Sequence, residues 1–323
     1  VPVVAVGLYF DLRNPPPWQQ EWSRLYAFTL EACEEAERLG LHSVWFSEHH
    51  GFEDGYLTQP LTMMAAAAGR TRRLRIGSAV VVAPFRSAVH VAEEAVVVDL
   101  ISDGRVEVGL GAGYRVPEFA LFGADMAARY DTTDAQARTL RSLWSRGSLS
   151  PPPVQDRIPL WMGYQGPRGA RRAGLLGEGL LSIDPALVEP YQLGLSEGGH
   201  DPASGRMAGR LSAYVCEDPD ADWEVVSRHL AYQLDSYRRY AVDGTGAELP
   251  APIDPERLRR RGLTPGNLGI LCAEPSVVAA ELLSMVDGTP VDTVFLWASI
   301  AGMDEPTTIR HLRSVAAMAA LVQ

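Results

Sequence analysis

Cysteine is scarce. Three residues in 323, Cys33, Cys216 and Cys272, are scattered without metal-ligand spacing, so neither a disulfide framework nor a zinc motif is indicated. A reducing cytoplasm is the expected home. No apolar run approaches 18 residues, and no membrane-spanning helix is expected. The N-terminus lacks a basic stretch followed by an apolar core and a cleavage site, so no secretory leader is expected either. There is no repeat at solenoid periods. Positive charge is in deficit, 29 basic against 40 acidic side chains, a net of −11. That balance argues against nucleic acid or anionic lipid as the main partner.

What is present is an ordinary globular composition, 46% hydrophobic and 21% charged. Short apolar runs fit buried strands at Val3–Tyr9, His42–Ser47, Leu74–Ala83, Arg105–Leu110, Ile158–Met162, Leu180–Ile183, Leu211–Cys216 and Val291–Trp297. Between them lie stretches of helical spacing: Glu21–Leu39, Pro60–Gly69, Ser87–Ile101, Ala127–Trp144, Asp222–Tyr240, Glu274–Val286 and Glu305–Leu321. About eight alternations without a linker predict parallel βα units closed into one α/β domain, a single (β/α)8 TIM barrel over 1–323. Asp243–Gly266 is rich in Gly, Pro and Arg with little periodicity. It is expected to be a long loop inserted before the last strands, acting as a lid.

In such barrels the active site lies at the C-terminal ends of the strands. The second strand ends there in Val44-Trp45-Phe46-Ser47-Glu48-His49-His50-Gly51. Histidine gives or takes a proton near neutrality. Neighbours on an extended strand face opposite ways, so His49 and His50 are unequal. One is expected at the mouth, oriented by a carboxylate such as Glu48, and the other under the loop. The same geometry, and the absence of HxH or HxxxH spacing nearby, argue against a metal. Gly111-Ala112-Gly113 and Gly163–Gly169 follow strands and resemble a phosphate cradle, with Arg115, Arg129 and Arg168 as candidate charges. The dinucleotide fingerprint is not met, because GAGYRV lacks its third glycine. Small residues in Ser78–Pro84 leave room for a flat ring.

Five segments in order carry a family resemblance: VWFSEHHG at Val44–Gly51, RIGSAVVVAPFR at Arg75–Arg86, AEEAVVVDLISDGRVEVGLGAGYR at Ala92–Arg115, FGADMAARYD at Phe122–Asp131 and IPLWMGYQGPRGARRAG at Ile158–Gly174. The chain resembles the bacterial luciferase-like flavin monooxygenases. The resemblance implies a catalytic histidine at His49, with Glu48 and His50 beside it. It implies a non-proline cis peptide at Ala79–Val80 under the isoalloxazine ring. The flavin phosphate falls on Gly163-Tyr164-Gln165-Gly166 with help from Arg129. Two departures stand out. Luciferase has Cys-Arg where this chain has Gly111-Ala112, which shifts phosphate binding toward Arg168. The helix after the third strand starts with Ser87-Ala88 in place of His-Pro.

The function implied is a two-component monooxygenase. A separate flavin reductase supplies reduced FMN, and O2 oxidises an apolar or aromatic substrate met by Phe10, Phe52, Tyr114, Trp161 and Trp297. GLGAGYR is also common in relatives that use a 5-deazaflavin. A deazaflavin-dependent hydride transferase is therefore the alternative, followed by a non-catalytic flavin binder and a metal-dependent barrel hydrolase. The family also implies a homodimer through helices near the histidine loop, for which the Ala-rich Leu61–Ala68 helix is suited.

Overall fold

Eight parallel strands pair side to side until the last meets the first, in a computed structural model that describes residues 4–145, 148–263 and 269–323. The barrel strands are β1 (Ala5–Phe10), β2 (Ser43–Phe46), β3 (Arg75–Ser78) with its short continuation β4 (Val81–Val82), β5 (Val106–Gly111), β6 (Leu160–Met162), β7 (Gly179–Leu181), β8 (Met207–Arg210) and β12 (Val291–Trp297). Their order is β3-β2-β1-β12-β8-β7-β6-β5-β4, and β3 also pairs with β5, which closes the ring. Strands buried on both faces need apolar side chains throughout, and β2 and β5 are buried at every position.

The helices between the strands start and stop on local signals. Helix α1 (Trp22–Arg38) begins where the Glu21 side chain accepts the Arg24 N–H. Helices α2 (Pro60–Arg70) and α4 (Val116–Phe122) carry proline in their first turn, where its missing N–H is harmless. Helix α3 (Ala88–Ser102) ends on Asp103 in the left-handed region. The others are α5 (Arg129–Leu143), α6 (Gly166–Leu176), α7 (Val188–Glu197), α8 (Pro219–Val242), α9 (Pro275–Val286) and α10 (Glu305–Ala319). None of the described helices is long and apolar enough to cross a membrane.

The barrel interior is filled low down by two indoles, Trp45 and Trp161, packed edge to face at 6.2 Å, with Phe295 stacked on Trp45 at 5.0 Å. A Cβ at Gly77 or Gly179 would sit 2.3 Å from one of those rings, so glycine is required at both positions. Trp161 is therefore floor packing, its indole N–H donating to Glu107 at 2.7 Å, and not a residue of the rim.

Three sequence expectations are revised. The third strand, expected unbroken over Leu74–Ala83, is interrupted at Ala79–Val80, whose peptide bond is cis where the resemblance places it. The seventh barrel strand is Met207–Arg210, not Leu211–Cys216. Met-Ala-Gly-Arg has no β-branched or alternating signal, whereas Ser-Ala-Tyr-Val-Cys next to it does. The segment expected as a strand supplies β9 (Ala213–Val215) to a separate parallel sheet with β10 (Arg259–Arg260) and β11 (Ile270–Ala273), in the order β10-β11-β9. That sheet and α8 form a second core around Tyr214, Trp223, Leu230 and Trp297.

The third revision concerns Asp243–Gly266. Its described part, 243–263, contains a short 3-10 turn at Pro255–Leu258 and the strand β10. Residues 264–266 lie outside the described residues, as does Val3 of the expected first strand. The segment is tied to α8 by Arg238 donating to the Ala251 carbonyl and Ile253 N–H donating to Asp235. None of residues 243–263 lines the first rim cavity, and Leu263 lines the second.

Candidate active site

A cavity of about 440 Å³ opens at the C-terminal ends of the strands. Of the residues anticipated from sequence, Glu48, His49, Ala79, Val80, Gly111, Ala112, Gly113, Gly163 and Gln165 line it. His50, Arg129, Tyr164, Gly166 and Arg168 do not. Gly166, with Gln165, lines a second cavity of about 430 Å³ that adjoins the first.

Alternation at the end of β2 divides the two histidines. His49 faces the cavity with its ring tilted against Phe52 at 4.8 Å and edge-on to Tyr56 at 4.8 Å. His50 turns the other way, between Phe85 and Phe122. Glu48 was expected to orient the histidine at the mouth, and the structure gives it a different partner. Its carboxylate accepts from His50 Nε2–H at 2.8 Å, from the Val82 N–H at 2.7 Å and from Arg86 at 2.7 Å. Glu48 thus pins the strand end to the turn after the cis peptide.

The carboxylate beside His49 is Glu118, on α4. Its Oε1 lies 2.9 Å from His49 Nδ1 and accepts the His50 backbone N–H at 2.7 Å. A fully buried carboxylate accepts, so His49 carries its proton on Nδ1 and presents Nε2 to the cavity. Tyr114 OH stands 3.5 Å from that Nε2, and burial pushes its phenol well above the ordinary range, keeping it a neutral donor. Glu118 was missed in the sequence because it lies 69 residues from His49. Pro117 in the first turn and Gly123 at the end do mark its helix.

The glycines have a steric reason. A Cβ on Gly111 would lie 2.3 Å from Val80 Cγ2, and one on Gly163 would lie 2.5 Å from Val80 Cγ1. They admit the side chain that follows the cis bond, so that Ala79 and Val80 form one wall of the cavity. The phosphate-side candidates are mixed. Tyr164 is turned inward, its hydroxyl donating to Asp134 at 2.5 Å. Arg168 is exposed. Arg129 donates to the Met126 carbonyl and lies 4.6 Å over the Tyr130 ring, while its Nε is buried without a partner. Arg115, another candidate charge, is engaged elsewhere. It donates to the His50 carbonyl at 2.5 Å and pairs with Asp243 at 2.8 Å.

The opposite wall was largely unread. Tyr9, Tyr56, Arg210 and Phe295 line it. Tyr56 OH accepts from Ser47 at 2.8 Å and lies 2.9 Å from Tyr237 OH on α8. Behind them Arg13 is fixed to Asp54 at 2.7 Å, under the Tyr237 ring at 5.1 Å. Asp11 is buried beside it with Oδ2 unpartnered, and burial pushes its carboxyl up to about 7, against the pull of Arg13. Of the aromatics expected to meet substrate, only Tyr114 lines the cavity. Phe10 stacks on Phe46, Phe52 packs on Tyr240, and Trp297 belongs to the second core.

A closed parallel barrel with a histidine–carboxylate pair aimed into a rim cavity, beside a cis-peptide wall, has the layout of a (β/α)8 enzyme. The chain belongs to the luciferase-like monooxygenase family, whose model matches residues 8–264. It is 28% identical over 165 residues to the oxygenase component of a flavin-dependent trigonelline monooxygenase from Acinetobacter baylyi, covering 46% of each chain. It is 29% identical over 182 residues to an F420-dependent glucose-6-phosphate dehydrogenase from Amycolatopsis mediterranei, covering 50% of this chain and 55% of that one. The chain thus spans about half the length of these curated relatives. In fold it is similar to the monooxygenase RslO1 from Streptomyces bottropensis, with a TM-score of 0.78 over 97% of this chain and 98% of the other at 22% identity.

Proposed function

We propose that this chain is the oxygenase of a two-component system, taking reduced FMN from a separate reductase and using O2 to oxidise an organic substrate. The observation that carries the reading is His49 Nε2, held by Glu118 and aimed into a cavity that the neighbouring Ala79–Val80 wall also lines. That wall suits a planar ring, because Gly111 and Gly163 present no side chain beside Val80. The unpartnered Nε of Arg129 and the N-terminus of α6 suit a phosphate. When bound, reduced FMN supplies the electrons that activate oxygen.

The chain's own residues hold and move the proton. His49 Nε2 takes it from substrate or returns it, with Glu118 fixing the tautomer, and this typically contributes about 10²–10⁴-fold. Tyr9, Tyr56 and Phe295 keep bulk water from the reacting face. A second reading, hydride transfer from a reduced 5-deazaflavin, is supported by the open Gly111-Ala112-Gly113 backbone and the F420-dependent relative. Titration with reduced FMN and with reduced deazaflavin, followed by oxygen uptake, separates the two. Uptake with FMN is expected. No uptake with FMN, and substrate reduction with deazaflavin, would replace the first reading by the second.

A homodimer belongs to the same proposal. Its supporting surface is α3, with Val89, Val97, Leu100 and Ile101 exposed at 42–50%, and not the Leu61–Ala68 stretch, whose apolar residues are mostly buried. Sedimentation of the wild type against Val97→Glu tests it, with a shift to monomer expected.

A further inference from the structure

Arg210, like Arg105 and Arg129, shows no carboxylate partner among the described residues, and of the three it alone lines the rim cavities. Arg13, Arg75, Arg86, Arg115, Arg141 and Arg172 each pair with a carboxylate. Arg105, which has none, is saturated by carbonyl oxygens of its own fold. Arg210 pairs with no carboxylate among the described residues. Its single polar contact among the described residues is a long one, Nη1 to Ser212 Oγ at 3.4 Å, and its guanidinium carbon lies over the Trp297 ring, 4.0 Å from the centroid. The phenols around it, Tyr9, Tyr56 and Tyr237, are all pushed up by burial and stay neutral. Asp11, an acid that acts on it electrostatically, interacts with Arg13. The charge is nevertheless held in place, by Trp297 below and by its position as the last residue of β8.

Its location gives the charge a use. Arg210 lines both rim cavities, of about 440 and 430 Å³, and stands where they join. In the eight-stranded ring β8 is four strands from β3 and β4 in either direction, so Arg210 faces the Ala79–Val80 wall across the mouth. Beside it the Tyr9 and Phe295 rings are stacked at 5.6 Å and 11°, a flat apolar surface. A guanidinium binds a carboxylate through two parallel N–H donors.

We infer that the organic substrate is a carboxylate, its anionic group held by Arg210 at the junction of the two cavities and its apolar body laid on Tyr9 and Phe295 within reach of His49. This rests on the reading above in one respect, that the facing wall belongs to the flavin. Arg210 is here a specificity residue and takes no proton.

The test titrates flavin-free protein calorimetrically with three matched pairs, benzoate and benzamide, trans-cinnamate and trans-cinnamamide, octanoate and octanamide. At least one acid is expected to bind about 10- to 100-fold more tightly than its amide. Arg210→Gln is expected to bring that ratio near one and Arg210→Lys to keep part of it, with FMN affinity unchanged in both. Three results would each overturn the inference: no acid preferred over its amide by the wild type, a preference that survives Arg210→Gln in a folded protein, or FMN affinity falling by the same factor as acid affinity. The last would assign Arg210 to the cofactor. Wild-type protein that prefers the acid but neither binds FMN nor consumes oxygen would remove the monooxygenase reading and leave the carboxylate site standing.

Discussion

The two walls of the mouth are built from different materials. The wall formed by the ends of β2 to β6 is backbone and small side chains: Ala79, Val80, Gly111, Ala112 and Gly163, fitted so closely that a single added methyl collides with Val80. The wall formed by β1, β8 and β12 is made of large side chains, Tyr9, Arg210 and Phe295, backed by Tyr56 and Tyr237. A surface made by backbone has one shape, and side-chain exchange cannot retune it without strain. A surface made by long side chains changes chemistry with every substitution. The first suits a constant ligand and the second a variable one, which is the division between cofactor and substrate that the proposals above require.

Chemistry at the seam between the walls offers the largest break. His49→Ala is expected to lower turnover about 10²–10⁴-fold while leaving FMN affinity within twofold, measured by stopped-flow and flavin titration. Equal loss of FMN affinity would place His49 on the cofactor wall instead. Next, Glu118→Gln removes the charge from two hydrogen bonds, to His49 Nδ1 and to the His50 N–H. Charged hydrogen bonds are worth roughly 1.5–3 kcal/mol, so kcat should fall about 10- to 100-fold with a smaller change in KM. An unchanged kcat would mean that α4 only supports the loop.

The backbone wall is broken by one methyl. Gly111→Ala is expected to cost about 1–3 kcal/mol, read as weaker FMN binding, and Val80→Ala in the same chain should restore most of it, because the nearest atom then recedes from 2.3 Å to 3.3 Å. Failure of that rescue would show that glycine serves the ligand directly.

The last effect lies behind the side-chain wall and is read as a slope against pH. The Asp11 carboxyl, pushed up to about 7 by burial, binds its proton more tightly in the folded chain than in the unfolded one. Its contribution to stability is therefore present at low pH and lost as pH rises from near 4 toward 7, by at most about 1.4 kcal/mol per pH unit. Asp11→Asn should flatten that slope in urea titrations at pH 4.5, 5.5, 6.5 and 7.5. A parallel slope in both proteins would exclude Asp11 as its source.

The legible parts of the molecule are those whose cause is local. Buried strands such as Val106–Gly111 are apolar at nearly every position, helices begin at Pro60 or end near Gly40, and alternation separates His49 from His50 within two residues. The position of the Ala79–Val80 cis bond was legible through the family motif around it. What failed was decided by tertiary neighbours and not by local pattern. Met207–Arg210 carries no strand pattern of its own and is a strand because β7 and β12 hold it on both sides. Leu211–Cys216 has the pattern and was drawn into another sheet.

The sequence by itself determined the barrel, most of its strands and the stretch where chemistry would lie, because burial imposes its periodicity on neighbouring residues. Tertiary structure alone decided who partners whom at the mouth. It took Glu48 from His49 and gave it to His50, brought Glu118 to His49 from another element, and left Arg210 facing the cavity without a counter-ion among the described residues. Those pairings join residues on different strands and helices, and ring closure fixes the distances between them where chain order does not.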